Sequence, residues 1–229
     1  MFDAKTRKTL LSLPTPFLID AMCDEGLPER HFDVGIRPTT PFTTMVGSAS
    51  TVRLGLIGDE GTTELMNIGK VYEAASESPG RIIVIQVPNS LHAHGIVGDG
   101  AATLAMQNGF VGALVEGAVR DTHALRDMGF PAFSRTISPG SINGKASFAS
   151  AGEPVVIGGQ TIHEGDIIAA DNDGVVVIRS GDLDRIVTRA SAIFEWEEQG
   201  NRMVSDGKSW GDVEALLGPR IRIGLPASE

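Results

Sequence analysis

Cysteine, aromatic residues and long apolar runs are all scarce in this chain. Cys23 is the one cysteine among 229 residues, so no intramolecular disulfide can form and a reducing, cytoplasmic setting is expected. Aromatic residues make up 5% of the sequence, and no apolar run approaches the ~20 residues that a membrane-spanning helix requires. We therefore expect no membrane partner. The chain is long enough to bury a core without a covalent cross-link.

Positive charge is also in short supply. The sequence has 19 lysines and arginines against 29 aspartates and glutamates, which gives a net charge of −10. This balance counts against nucleic-acid binding, because that function needs a basic surface. A local pocket can still be positive on an acidic protein, so an anionic small molecule stays open as a ligand. No uninterrupted apolar segment precedes Pro14 and Pro16, which argues against a secretory signal.

The apolar pattern predicts a single α/β domain over residues 1–229, with a β-rich core flanked by helices. The predicted helices are Ala4–Leu13, Pro16–Cys23, Glu60–Ser76, Asp99–Asn108 and the charged stretch Asp182–Trp210. The predicted strands are Thr43–Leu56, Arg81–Val87, Val111–Val115, Pro154–Ile157, Ile167–Ala170 and Val175–Ile178. Arg81–Val87 is a continuous β-branched run, which is typical of a strand buried on both faces. Pro88–Gly98 is predicted to be a polar loop.

Residues 81–119 predict a βαβ unit, with chemistry-bearing residues at one end of it. In such a crossover the helix runs back along the sheet and the second strand returns to the starting edge. A ten-residue helix descends ~15 Å, and a strand of about six residues climbs ~20 Å. Asp99, predicted as the helix cap, should therefore lie near Arg120 and Asp121. Ligand sites of open α/β sheets form at this carboxyl edge.

These residue types suit a bound oxo acid. The amides of Gly100 and Ala101 at the helix N-terminus suit a carboxylate, and the planar fork of Arg120 suits the same group. Asp99 and Asp121 offer hard oxygen ligands for a cation such as Mg²⁺. A metal and an arginine beside a 2-oxo acid would stabilise an enolate. On spacing alone, a helix cap and a solvated turn pair remain the simpler explanation.

Longer sequence blocks resemble a known family. The spacing D-x20-R-D, from Asp99 to Arg120 and Asp121, is similar to the signature of the 4-hydroxy-4-methyl-2-oxoglutarate / 4-carboxy-4-hydroxy-2-oxoadipate aldolases, a family that includes the regulator of ribonuclease activity A. GFVGALVEGAVRD resembles the family's G-x-x-G-x-V-x-x-G-x-V-R-D block, and FPAFSR resembles its FPVFAR stretch. EPVVIGGQTIHEGDIIAADNDGVVVI resembles PV-x-x-GG-x-x-V-x-PGD-x-x-x-AD-x-DGVVV. Together these blocks cover about residues 80–180.

The resemblance implies a swivelling β/β/α-type fold, a homotrimer or homohexamer, and a divalent metal, Mg²⁺ or Mn²⁺. It implies that Asp121 holds the metal directly or through water and that Asp99 holds metal-bound waters, one of which acts as base or proton donor. Arg120 would bind the substrate's oxygens. Its carboxylate would lie against the backbone at Gly98, Gly100 and Ala101.

The family also supplies an acidic residue from a neighbouring subunit's C-terminal helix. Glu197 is a candidate for that metal-site acid, as is Glu198, although solvated charge is the simpler reading of both. The C-terminal helix is accordingly expected to pack on a neighbouring subunit.

The implied activity is retro-aldol cleavage of a 4-hydroxy-2-oxo di- or tricarboxylic acid to pyruvate and a second oxo acid, with oxaloacetate decarboxylation as a side activity. Two alternatives stay open: a non-catalytic regulator that binds a ribonuclease or helicase, and a related metal-dependent lyase or hydrolase. The regulators lack the aspartates of the pattern, which this chain keeps. The chain departs from the family at Pro88–His94, where a glycine run is usual, and at Ala124, where many aldolases carry an acid. His92 and His94 are therefore candidate substrate contacts.

Overall fold

The computed structural model describes residues 2–32, 35–40, 43–58, 72 and 80–220. The helix predicted over Glu60–Ser76 lies outside these residues except for Tyr72. Within the described ranges, no helix has the length and apolar character needed to cross a membrane.

Helices stand at both ends of the chain and in its middle. They are α1 (Ala4–Ser12), α2 (Thr15–Asp24), α3 (Asp99–Gln107), α4 (Thr122–Asp127), α5 (Leu183–Ser205) and α6 (Trp210–Leu217). Local capping fixes several of their ends. Asp3 accepts a hydrogen bond from the Thr6 amide at 2.7 Å and so begins α1. A reciprocal pair of bonds between Ser209 and Asp212 begins α6.

The strands form one large sheet and a small hairpin. They are β1 (Arg37–Pro38), β2 (Met45–Leu56), β3 (Arg81–Gln86), β4 (Gly95–Val97), β5 (Gly112–Val119), β6 (Ala132–Ile137), β7 (Ala146–Ala151), β8 (Val155–Ile157), β9 (Gln160–Ile162), β10 (Ile167–Ala170) and β11 (Val175–Ile178). Among the described residues, the large sheet has the order β1-β6-β5-β3-β2-β10-β11, with β4 added on β5 and β7 on β2, and β8 pairs with β9 alone. The predicted α/β class with a β-rich core flanked by helices is confirmed.

The centre of the sheet is parallel and covered on both faces. β2, β3, β5 and β6 run in one direction. On one face, Ile83 and Val115 belong to the same buried cluster as Ala102 of α3. On the other, Val84 packs in a cluster with Ile157 of the β8–β9 hairpin. Burial on both faces explains why the sequence of β3 reads as an unbroken β-branched run.

The predicted βαβ unit is confirmed, since β3 and β5 are parallel neighbours on either side of α3 in the chain. β5 continues to Val119, beyond the predicted end at Val115. The prediction stopped short because a charged residue, which is buried in the structure, interrupts the apolar pattern. Glu116 is 7% exposed and accepts hydrogen bonds from Arg135 at 2.7 Å and from the Gly158 amide at 2.9 Å. The strand bulges here and resumes at Ala118.

Pro88–Gly98 is predicted to be a polar loop. The structure shows that this stretch also contains a 3₁₀ turn at Asn89–Leu91 and the strand β4. Three residues are too few for strand periodicity to show in the sequence.

Candidate metal and oxo-acid site

Two parallel pairings bring the predicted site residues to one edge of the sheet. β4 and β6 both run parallel to β5, so the carboxyl ends of the three strands meet. The Arg120 amide donates to the Val97 carbonyl at 2.9 Å, which ties the end of β5 to the residues that lead into α3. Asp99, Arg120 and Asp121 therefore lie together, as the spacing predicted.

Asp121 has the left-handed backbone conformation, with φ 53° and ψ 36°. It is the one non-glycine residue with a positive φ in the described part of the chain. Such a conformation costs about 1 kcal/mol and recurs at ligand sites. Here its Oδ2 accepts a hydrogen bond from the Asp99 amide at 3.3 Å and lies 3.3 Å from Nε of Arg120. The strained turn thus accompanies a carboxylate placed between the start of α3 and a guanidinium.

Two glycines make this approach possible. A Cβ on Gly98 would lie 2.3 Å from Oδ2 of Asp121, and a Cβ on Gly95 would lie 3.0 Å from three side-chain carbons of Arg120. The first distance is far inside van der Waals contact. The Arg120 side chain therefore lies against a backbone surface that other residues would fill.

The sequence predicts Asp99 as the cap of α3, but in the structure Asp99 is the first residue of the helix. Gly98 is the N-cap, with an extended backbone at φ −134°. Oδ1 of Asp99 accepts a hydrogen bond from the Gly100 amide at 2.6 Å. The Gly100 amide, predicted to bind a substrate carboxylate, is thus occupied by Asp99 in this structure. Ala101 also lies at the helix terminus, where unpaired amides favour an anion.

A small pocket of about 180 Å³ opens at this edge. It is lined by Gly95, Ile96, Gly98, Asp99, Gly100, Ala101, Arg120, Ser141, Ile142 and Asn143. Its volume is below the ~300 Å³ at which sites for drug-sized ligands begin, so it suits a small acid.

Sequence reasoning missed the wall formed by Ser141–Asn143. This segment follows β6, a strand that was not predicted, and its polar sequence SINGK reads as an ordinary loop. A polar loop after a parallel strand is the signal that would have indicated it.

The predicted histidines lie near the pocket but do not line it. His92 and His94 are half-buried in the loop that precedes β4. Nε2 of His92 and Nδ1 of His94 are buried without a hydrogen-bond partner, which is unusual because buried polar atoms are almost always paired. Their contact with substrate stays a prediction.

Glu197 lies on α5, away from the pocket of its own chain. Its Oε1 is 2.8 Å from Nε of Arg220, so it is ion-paired within the chain. Its predicted part in a neighbouring subunit's metal site stays a prediction.

The carboxylates fit a magnesium ion that keeps most of its waters. Asp99 and Asp121 lie at adjoining positions, and the Asp121 side chain is 38% exposed. In the ranges that the structure describes, no group of three or more His, Cys, Asp or Glu side chains is arranged to hold a metal. A full set of protein ligands, as zinc takes, is therefore not available there. Mg²⁺ is commonly bound by one or two carboxylates and water.

The fold and site define a class: an α/β protein with two carboxylates and an arginine beside a small pocket at the carboxyl edge of a parallel sheet. The sequence profile of the RraA-like family, described as Aldolase/RraA, matches residues 15–177. A protein of Halalkalibacterium halodurans named "Putative 4-hydroxy-4-methyl-2-oxoglutarate aldolase" is 31% identical over 195 residues, which cover 85% of this chain and 86% of that protein. This chain belongs to the RraA-like family.

Solved structures agree on the fold. An uncharacterized protein from Pseudomonas syringae pv. tomato has a TM-score of 0.76 and 26% identity, with 93% of this chain and 98% of that chain covered. Streptomyces coelicolor RraAS2, described as an unusual member of the RNase ES inhibitor RraA protein family, has a TM-score of 0.74 and 22% identity, with 87% and 97% covered. At that identity the second likeness speaks for the fold alone.

Proposed function

We propose that the chain is a divalent-metal-dependent carbon–carbon lyase that cleaves 4-hydroxy-2-oxo di- or tricarboxylic acids to pyruvate and a second oxo acid. The observation that supports this most is the meeting of Asp99, Arg120 and Asp121 beside one small pocket at a helix N-terminus. Similarity to the Halalkalibacterium protein supports the same class of reaction.

Arg120 and the start of α3 would hold the 2-oxo acid end of the substrate. The guanidinium binds the carboxylate and the adjoining oxo oxygen through its fork of donors, and the amide of Ala101 adds a donor at the helix terminus. The Arg120 side chain is 39% exposed, and its one ion pair with a described residue is at 3.3 Å. Donors therefore remain free for the substrate.

Mg²⁺ or Mn²⁺ held by Asp121 and Asp99 would supply positive charge where the enolate forms. As the C3–C4 bond breaks, its electron pair moves to the C2 oxygen, beside Arg120, and the C4 hydroxyl becomes a carbonyl. Asp99, the one carboxylate among the described residues that line the pocket, would take the hydroxyl proton directly or through water. Return of a proton to C3 gives pyruvate. Oxaloacetate would follow the same electron path, with CO₂ as the leaving fragment.

A second candidate is another metal-assisted step on a related oxo acid. The unpaired nitrogens of His92 and His94 favour it, because they add polar groups where the family usually carries glycines. A panel of 2-oxo acids, assayed for product by mass spectrometry, distinguishes the two candidates.

Metal removal tests the proposal. The protein is stripped with EDTA, and pyruvate release is followed with a coupled reductase across several 4-hydroxy-2-oxo acids. We expect Mg²⁺ or Mn²⁺ to restore an activity that EDTA abolishes. The Asp121→Asn protein is the blank, since free metal alone can decarboxylate oxaloacetate. The proposal would be contradicted if none of the substrates gave metal-dependent release of pyruvate. If the chain then also bound a ribonuclease or helicase saturably, the non-catalytic regulator would be favoured.

A further inference from the structure

Two polar residues of the pocket lining have no part in the reaction as described so far. Of the described residues that line the pocket, four have polar side chains, namely Asp99, Arg120, Ser141 and Asn143. Asp99 and Arg120 are charged and already have roles there. Ser141 and Asn143 are neutral, and both side chains can donate a hydrogen bond. The wall from Ser141 to Asn143 therefore offers neutral donors to a part of the substrate other than its carboxylate.

The backbone that carries Asn143 is fixed by several contacts. Ser141 forms a bridge with Gly95 of β4, and the Gly95 amide donates to the Gly140 carbonyl at 2.8 Å. Ile142 is 5% exposed and belongs to the core. The backbone amide of Asn143 donates to Oγ of Ser141 at 3.1 Å. None of these contacts involves the Asn143 side chain, so a substitution of that side chain leaves the wall in place.

The Asn143 side chain is free to bind a ligand. It is exposed, and it has no hydrogen-bond partner in the part of the chain that the structure describes. Its amide nitrogen carries two N–H donors. The Ser141 hydroxyl is more constrained, because its oxygen already accepts the bond from the Asn143 backbone. Asn143 is thus the uncommitted neutral donor of the pocket.

The size of the pocket brings its wall close to the reacting carbon of the substrate. A volume of about 180 Å³ suits a small acid, and the 2-oxo acid end held by Arg120 would occupy much of it. In a 4-hydroxy-2-oxo acid, C3 alone separates the oxo carbon from the carbon that carries the hydroxyl. The C4 oxygen then has the remaining polar lining to bind, which is Asp99 and the wall that carries Asn143.

We propose that Nδ2 of Asn143 donates a hydrogen bond to the C4 oxygen of the substrate during cleavage. This inference rests on the proposed function. The hydroxyl directs its proton to Asp99 while its oxygen accepts from Asn143, so the O–H bond is oriented toward the base. As the C3–C4 bond breaks, the same N–H stays on the oxygen that becomes the carbonyl. Asn143 itself neither gains nor loses a proton.

Two reactions of the same protein separate this role from a structural one. Retro-aldol cleavage involves the C4 oxygen, whereas exchange of the pyruvate methyl protons with D₂O reverses the last step of the reaction and involves no C4 oxygen. Both are measured with the full chain in MgCl₂, the exchange by NMR. We expect Asn143→Ala to lower kcat/KM for cleavage about tenfold and to leave the exchange rate within about twofold. Asn143→Asp keeps the size and an acceptor but lacks the donor, so its cleavage should be as slow.

Either of two results in Asn143→Ala overturns the proposal: cleavage at the wild-type rate, or an equal loss in both reactions, which would show a disturbed pocket. Wild-type cleavage in Asn143→Asp would also overturn it, since the donor would not then matter. In each of these cases the wild type still releases pyruvate, and the role of Asn143 alone is refuted. A wild type that cleaves no 4-hydroxy-2-oxo acid refutes the proposed lyase, and the role of Asn143 with it.

Discussion

Both edges of the parallel sheet carry an arginine and a carboxylate beside a cavity, and the two edges use them differently. At the amino edge, Arg81 and Glu164 line a cavity of about 520 Å³. They form an ion pair with each other, and Arg81 also donates to the Ala49 carbonyl at 2.8 Å. Glu164 accepts from the amide and hydroxyl of Thr51 at 2.7 and 3.0 Å. Burial lowers the pKa of Arg81 below its ordinary value.

The carboxyl edge has the smaller cavity and the freer charges. Arg120 and Asp121 approach only to 3.3 Å, and each side chain is more than a third exposed. The arginine and the carboxylate of the larger cavity are thus bonded to each other and to the backbone or side chains of β2. The comparison teaches that freely exposed charge, more than cavity volume, distinguishes the edge at which we propose the ligand site.

Among substitutions that test this difference between the two edges, Asp121→Asn is expected to have the largest effect on activity. Asparagine tolerates the left-handed backbone, so the fold should be kept, while the carboxylate charge is lost. We expect metal-dependent kcat to fall by about 10²–10³-fold. Pyruvate release and urea unfolding, measured on the same preparation, check this. A variant that keeps its rate at normal stability would mean that Asp121 does not hold the metal.

A smaller loss of rate is expected from Gly98→Ala. The new methyl group would meet Oδ2 of Asp121 and displace that carboxylate. A shift of about 1 Å can cost up to about 10²-fold in rate, so we expect a fall in kcat/KM of about 10- to 10²-fold. Gly181→Ala is the matched control, because a Cβ there meets nothing within 4 Å. Equal activity of the two variants would show that the contact between Gly98 and Asp121 does not matter.

The opposite edge should respond in stability and not in rate. Glu164→Gln leaves Arg81, whose side chain is 14% exposed, without its counter-charge. We expect about 1–2 kcal/mol lower stability and a kcat/KM within about twofold of wild type. Urea unfolding tests the expected loss of stability, and the pyruvate assay tests the expected retention of kcat/KM. A rate loss as large as that of Asp121→Asn would break the contrast between the edges.

The sequence predicted the framework of the site better than its walls. The βαβ unit and the meeting of Asp99 with Arg120 and Asp121 follow from strand direction, which β3 and its neighbours reveal through continuous apolar runs. The end of β5 was missed because Glu116 is buried by a partner on β6, a contact between residues 19 apart in the chain.

The wall at Ser141–Asn143 was missed for a related reason. Its place depends on the pairing of Gly95 with Ser141, which no local pattern reports. The cap of α3 is Gly98, one position before the predicted Asp99, and a side chain at position 98 would collide with the Asp121 carboxylate.

Binding of Mn²⁺ tests the central claim most directly, because it needs neither a substrate nor a partner. The wild type, Asp121→Asn and Glu164→Gln are titrated with Mn²⁺, and free ion is followed by its paramagnetic resonance signal. We predict one site per chain in the wild type, unchanged in Glu164→Gln and weakened at least about tenfold in Asp121→Asn. Equal Mn²⁺ affinity in all three proteins would contradict the assignment of the metal site to the carboxyl edge.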